Sequence, residues 1–175
     1  MNNLQKRVLE ASEFSDLYTP EYATELIVPY LYGTIWECAA GEGHMTSVFE
    51  AHRIDVYETD IAFGEQQNFL TTWIIPPNVD FIVTNPPFKL KDEFLKHCYE
   101  LEVPFALLMP LTAIGGMKRN ELFRKYGIEL LVPSRRINFI YDGAGKACWF
   151  HSAWFCWNVL PEKLMFVEME RNGEV

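Results

Sequence analysis

Apolar residues in this chain fall into short runs separated by glycine, proline and polar turns, and the period of the pattern changes from run to run. Thr34 to Cys38 and Val79 to Thr84 are continuous apolar stretches too short for helices, so they predict buried strands. Ile54 to Thr59 alternates apolar and polar positions and predicts a strand that ends in Asp60. Pro104 to Met109, Ile128 to Val132 and Ser152 to Val159 predict three more, with a last strand at Leu164 to Glu168 and a weak one near Phe69 to Ile74. Helical spacing appears between them, at His44 to His52, Lys91 to Leu101 and Lys118 to Tyr126, the last closed by Gly127 as a C-terminal cap. Upstream, Thr19-Pro20-Glu21 reads as an N-cap, a first helical position and a dipole-compatible acid, opening a helix through about Leu31. Strands that alternate with helices predict an α/β fold, a mainly parallel sheet covered by helices on both faces.

Length and composition narrow the picture. The chain has 175 residues, 49% of them hydrophobic, with no repeats and no linker long enough to divide it, which predicts a single domain over residues 1–175. Its start, Met1-Asn2-Asn3-Leu4-Gln5-Lys6-Arg7, lacks the apolar core of a secretion signal. The most apolar stretch, Ala147 to Leu160, is broken by His151, Ser152 and Asn158 and is too short to span a bilayer. The expectation is a soluble cytoplasmic protein with no membrane partner. Cys38, Cys98, Cys148 and Cys156 lie at unrelated spacings, mostly inside apolar runs, so they read as reduced packing residues, with no metal site among them. The net charge of -9 argues against a polyanionic partner, but it is unevenly spread. Residues 85 to 150 hold ten Lys/Arg against seven acids, whereas the remainder holds five against seventeen. That asymmetry predicts a basic face on an acidic body, although solvated lysines give the same count.

In an open α/β sheet, ligands bind beyond the carboxyl ends of the strands, and three such segments carry chemistry here. Glu37-x-Ala39-Ala40-Gly41-x-Gly43 follows the first strand, where residues without a Cβ let a ligand approach the backbone and the next helix start. A plain tight turn would look the same. Asp60 ends the second strand and reads either as a ribose-binding carboxylate or as a helix N-cap. The third glycine of the dinucleotide fingerprint is missing, which disfavours NAD. Asn85-Pro86-Pro87-Phe88 follows the next buried strand directly. Two successive prolines have fixed φ and no amide hydrogens, so the turn is stiff and presents carbonyl oxygens, as an amine substrate requires.

Together, Tyr18-Thr19-Pro20, Glu37 to Gly43 and Asn85 to Phe88 resemble the amino-methyltransferases, in particular small phage-type DNA adenine-N6 methyltransferases. The resemblance covers most of the chain and implies a Rossmann-like methyltransferase fold with an antiparallel strand near the C-terminus. It also implies S-adenosylmethionine as cofactor, held at its methionine end by Glu37, Ala39, Gly41 and Gly43 and at its ribose by Asp60. Tyr18, Thr19 and Pro20 pack beside it, Asn85 borders it, and Asn68-Phe69 stands where the family often places an acid that reads the cofactor adenine. Asn85, Pro86, Pro87 and Phe88 become the catalytic turn: the Asn85 side-chain oxygen and the Pro86 carbonyl each accept one N6-H bond, and Phe88 stacks on a flipped or unpaired adenine.

The stretch from Pro133 to Phe139, with Phe150 to Trp154, resembles the family's loop near the target base. There Arg135 and Arg136 suit phosphates, Phe139 or Trp149 suits stacking on a base, and Lys89 and His151 complete a substrate surface. A packed aromatic core with a solvated arginine pair is the competing reading. DNA is the expected partner and RNA the next. The same turn also serves RNA adenine or guanine amines and the amide of a protein glutamine, and a non-catalytic methyltransferase-like subunit would keep the fold without the chemistry. No stretch is long enough for a separate target-recognition domain, so specificity is expected from loops or a partner. A phage-encoded protein would work in the host cytoplasm.

Overall fold

The computed structural model describes residues 17–141, 144–145 and 150–170. A seven-stranded sheet runs in the order β2-β1-β3-β4-β8-β5-β9, built from β1 (Thr34–Glu37), β2 (Asp55–Glu58), β3 (Val79–Thr84), β4 (Phe105–Pro110), β5 (Glu129–Pro133), β8 (Ser152–Trp157) and β9 (Leu164–Val167). Only β8 runs against its neighbours, pairing antiparallel with β4 and β5, while the other pairs are parallel. This is the mainly parallel α/β sheet with one reversed strand near the C-terminus that the sequence predicts. A small antiparallel ribbon, β6 (Ile140–Tyr141) with β7 (Ala144–Gly145), stands apart from the sheet and has no counterpart among the predicted elements.

The helices cover both faces. α1 (Glu21–Glu25) and α2 (His44–Ala51) lie on one side, α3 (Lys91–Leu101) and α4 (Met117–Tyr126) on the other. Strand alternation divides the core accordingly: Phe105, Leu107 and Met109 of β4 join Trp36, Phe94 and Leu95 under α3, while Ala106 and Leu108 join Ala23, Ile27 and Phe49 under α1 and α2. The Trp154 indole, fully buried on the second face, donates to the Ala23 carbonyl at 3.1 Å and locks α1 onto β8.

Two local expectations are corrected. Thr19 is not the N-cap of α1. That position belongs to Pro20, whose carbonyl accepts the Ala23 amide, and the buried Thr19 packs inward, while the helix stops at Glu25 and resumes as a 3-10 turn over Val28–Tyr30. The weak strand near Phe69 to Ile74 is instead a 3-10 turn, Phe69–Thr71, capped by the Asn68 side chain. Its apolar residues serve opposite sides, Phe69 in the core and Ile74 82% exposed, so no single strand face is formed. Cys38, Cys98 and Cys156 are buried free thiols, and burial pushes each above the usual thiol range; Cys148 lies outside the described residues. Among the described residues no helix is long and apolar enough to cross a membrane, and no group of three or more His, Cys, Asp or Glu side chains is placed to hold a metal ion.

The Trp154 bond gives a direct check of the packing between α1 and β8. Trp154→Phe removes the donor and leaves the Ala23 carbonyl short of its partner, so the unfolding free energy should fall by about 1–3 kcal/mol in urea titrations, with an unchanged m-value.

Candidate active site

β1 lies between β2 and β3, so the chain leaves it in opposite directions and opens a crevice beyond the carboxyl ends of β1 and β3. A cavity of about 470 Å³ occupies that crevice, within the range of about 300–1,000 Å³ typical of small-molecule sites. The three predicted segments meet there. Glu37, Ala39 and Gly41 line it from β1, Asp60, Asn68 and Phe69 from the β2 side, and Asn85 through Lys89 from β3. Tyr18 and Thr19 close it from above the sheet, joined by two residues that sequence reasoning passed over, Leu17 and His44.

The glycine turn forms because Gly41 and Gly43 hold positive φ of 55° and 77°, a conformation that a side chain disfavours. Gly43 caps α2 rather than lining the cavity, and a Cβ on Gly41 would lie 3.4 Å from the Tyr18 ring. Tyr18 stacks on His44 with ring centroids 4.6 Å apart. Asp60 is an N-cap, one of the two readings made of it, and its second oxygen steadies the glycine turn. One carboxylate oxygen accepts the Gly41 amide at 2.9 Å and the other caps the turn Ile61–Phe63 through the Ala62 amide at 2.8 Å. Each oxygen keeps a further lone pair for a ligand hydroxyl. Asn68 is more committed, because its side-chain oxygen accepts the Leu70 amide at 3.1 Å.

Three cavity-lining residues carry a buried polar atom without a hydrogen-bond partner, Glu37, Asn85 and, at Nδ1, His44. Glu37 is buried at the cavity floor, where one carboxyl oxygen accepts the Ala39 amide and the other has no hydrogen-bond partner. Burial, reinforced by the nearby Asp60 and Glu58 carboxylates, pushes its pKa up to about 8, although the Ala39 amide and the Thr84 hydroxyl beside it oppose the shift. The second is Asn85. Its amide nitrogen donates to the Leu17 carbonyl at 3.1 Å, which fixes the orientation of the group, because a carbonyl only accepts. The Asn85 side-chain oxygen is therefore turned away from Leu17, buried and without a partner.

The rest of the predicted substrate surface is split. Phe88 is partly buried, with its ring edge-on to Phe139 at 5.7 Å and to Phe150 at 5.6 Å. Phe139 is a core residue, 1% exposed, and props Phe88 from behind; the expectation that its own ring stacks on a base is corrected by that burial. Trp149 lies outside the described residues. Lys89, Arg135, Arg136 and His151 are exposed. Arg135 and Arg136 follow β5, and His151 precedes the reversed β8, so all reach the same carboxyl-end rim as the cavity.

Solved structures share the fold. A protein of Listeria monocytogenes assigned as a class I S-adenosylmethionine-dependent methyltransferase superposes with a TM-score of 0.57 at 13% identity, covering 98% of this chain and 72% of that one. A modification subunit of Vibrio vulnificus assigned to a type I restriction enzyme gives 0.55 at 13% identity, covering 98% of this chain and 51% of that one. The fold is the Rossmann-like methyltransferase fold. This chain spans about half the length of the Vibrio subunit. No family model and no curated protein matches the sequence.

The Glu37 carboxyl sets a pH signature for this methyltransferase-like fold. Its folded pKa, about 8, lies above the ordinary value of 4.5, so the folded state holds a proton that the unfolded chain has lost, and stability falls as pH rises between those values. Glu37→Gln removes that dependence. The thermal midpoint of the ligand-free variant should gain on wild type from pH 5 to pH 8, by the equivalent of a few kcal/mol. A gap independent of pH would contradict the assignment.

Proposed function

We propose that the protein is an S-adenosylmethionine-dependent methyltransferase whose acceptor is the N6 amine of adenine in DNA. The observation that carries the proposal is the buried, unpartnered side-chain oxygen of Asn85, a cavity-lining residue followed in the lining by Pro86. An exocyclic amine brings two N-H donors, and that oxygen and the Pro86 carbonyl meet them without a charged base.

The cavity fits the cofactor. A buried carboxyl with an unmet oxygen suits a cationic ligand, and Glu37 offers one at the floor. Gly41 admits the ligand backbone-close, Asp60 has lone pairs for ribose hydroxyls, and Phe69 lies beside Asn68 where an adenine ring would rest. Tyr18 and Thr19 line the cavity, whereas Pro20, expected beside the cofactor, stays outside that lining as the N-cap of α1. S-adenosylmethionine supplies a methyl group on a sulfonium, which departs as a neutral thioether.

Adenine N6 is a weak nucleophile because its lone pair is delocalised into the ring. Asn85 and Pro86 accept its two hydrogens and hold the nitrogen so that the lone pair points into the cavity. Positioning of this kind contributes about 7–11 kcal/mol over a bimolecular encounter. The proton lost on transfer passes from the new ammonium to solvent, since Asn85 is no base. Phe88, propped by Phe139 and Phe150, offers its ring to the base, which has to leave the duplex stack to reach it.

DNA is favoured among amine acceptors by the basic residues Lys89, Arg135 and Arg136 on the rim, and the resemblance of the fold to a restriction-modification subunit supports the same reading.

The acceptor and the turn are tested together by incubating the protein with methyl-labelled S-adenosylmethionine and DNA, RNA or protein, then digesting each. Label should appear as N6-methyladenine from DNA. Asn85→Ala should lower turnover by more than about tenfold while leaving cofactor affinity nearly unchanged. Asn85→Asp is more telling. Its carboxylate would face the Leu17 carbonyl, so activity should return only as pH falls and the acid regains a proton to donate there. Turnover by Asn85→Ala within about tenfold of wild type would refute the assigned role.

A further inference from the structure

The loop that follows β4 stands next to the Asn85 turn, because β3 and β4 are paired through Thr84 and Leu107. It begins as a 3-10 turn, Leu111–Ile114, passes Gly115 and Gly116, and enters α4 at Met117. Leu111 and Ala113 point into the core, but Ile114 is 43% exposed and Met117 is 80% exposed. Exposed apolar tips are ordinary on a loop that can move. This one is braced.

Arg119, its side chain only 16% exposed, folds back from the first turn of α4 and donates through Nε to the Ala113 carbonyl at 2.7 Å and the Gly115 carbonyl at 2.8 Å. Its Nη1 donates to Asp92 at 2.6 Å, on the first turn of α3 just past Phe88–Leu90. A third element is attached as well, since the Leu111 amide donates to the His151 carbonyl at 2.8 Å. The loop that carries the two apolar tips is thus tied to the start of α3, just past the Asn85 to Phe88 turn, and to the start of β8. Immobilising them before binding removes the ordering cost that an encounter would otherwise carry.

Charge indicates what meets this surface. Lys118 follows Met117 in the chain and is exposed, and Lys89, Arg135 and Arg136 are exposed beyond the carboxyl ends of β3 and β5, the sheet edge from which this loop also leaves β4. Apolar side chains flanked by lysine and arginine match the interior of a base stack flanked by phosphates.

We propose that Ile114 and Met117 form a wedge that enters the base stack of duplex DNA and fills the space left by the target base. The inference rests on the DNA reading above and deepens it. A base that leaves a duplex abandons stacking contacts on both sides, and apolar side chains that take its place restore some of them. A single-stranded substrate has no such gap, so the wedge acts only where a pair has to open.

The test compares sheared genomic DNA in native form with the same DNA melted to single strands, under single-turnover conditions. In the double variant Ile114→Ala, Met117→Ala the Arg119 brace and the core contacts of Ala113 remain, so its thermal midpoint should match that of wild type. It should lose about tenfold or more in methylation of the duplex and less than about twofold on the single strands. An equal loss on both substrates, or no loss on the duplex, overturns the wedge and leaves the DNA reading standing. A wild-type protein that methylates only the melted DNA likewise overturns the wedge alone. A wild-type protein that methylates neither overturns the DNA reading itself, and the wedge with it.

Discussion

The hydrogen bond from the Asn85 amide nitrogen to the Leu17 carbonyl is the constraint on which the site depends. An unrestrained asparagine presents either end of its amide. Here the acceptor at Leu17 selects the nitrogen, so the oxygen is turned away from Leu17, buried and unmet, on a residue that lines the cavity. Burying such a group without a partner costs about 1–3 kcal/mol, a cost that a ligand amine would recover on binding. The proline pair that follows supplies a second acceptor without competing donors.

That bond is held by the segment around Tyr18, which reaches in three directions. Tyr18 exchanges two backbone bonds with Ile140 of β6, both at 2.9 Å, and its ring stacks on His44 while covering Gly41. One strap therefore links the acceptor amide, the glycine turn and the ribbon beyond β5. Beneath it, the unmet Glu37 carboxyl is kept neutral by burial at mild pH and gains a reason to ionise only when a cation arrives. Glu37 and Asn85, both lining the cavity, thus share one feature, a buried polar atom left without a partner.

Where local pattern decides structure, the chain could be read closely. Val79–Thr84 and Lys91–Leu101 begin and end as predicted, since a continuous apolar run bounded by Asn85-Pro86 and an amphipathic helix ended by Glu102 at positive φ are both local signals. The convergence of Glu37, Asp60 and Asn85 on one cavity followed from placing each at a strand's carboxyl end. What escaped depends on distant contacts. Leu17 acts through a backbone carbonyl across a separation of 68 residues, a role that no side-chain identity reveals. The β6–β7 ribbon is two residues per strand, too short for alternation to register. Phe139 looked like a base-stacking ring because burial and exposure give an aromatic the same one-letter signature. His44 was read as a helix start, and only its stack on Tyr18 brings it to the cavity.

The most direct measurement is a crystal structure of the protein with S-adenosylhomocysteine and an adenine-containing oligonucleotide. The account predicts the adenine N6 within about 3 Å of both the Asn85 side-chain oxygen and the Pro86 carbonyl, with the Leu17 bond intact. An adenine seated elsewhere, or an Asn85 amide flipped to direct its nitrogen at the base, would contradict it.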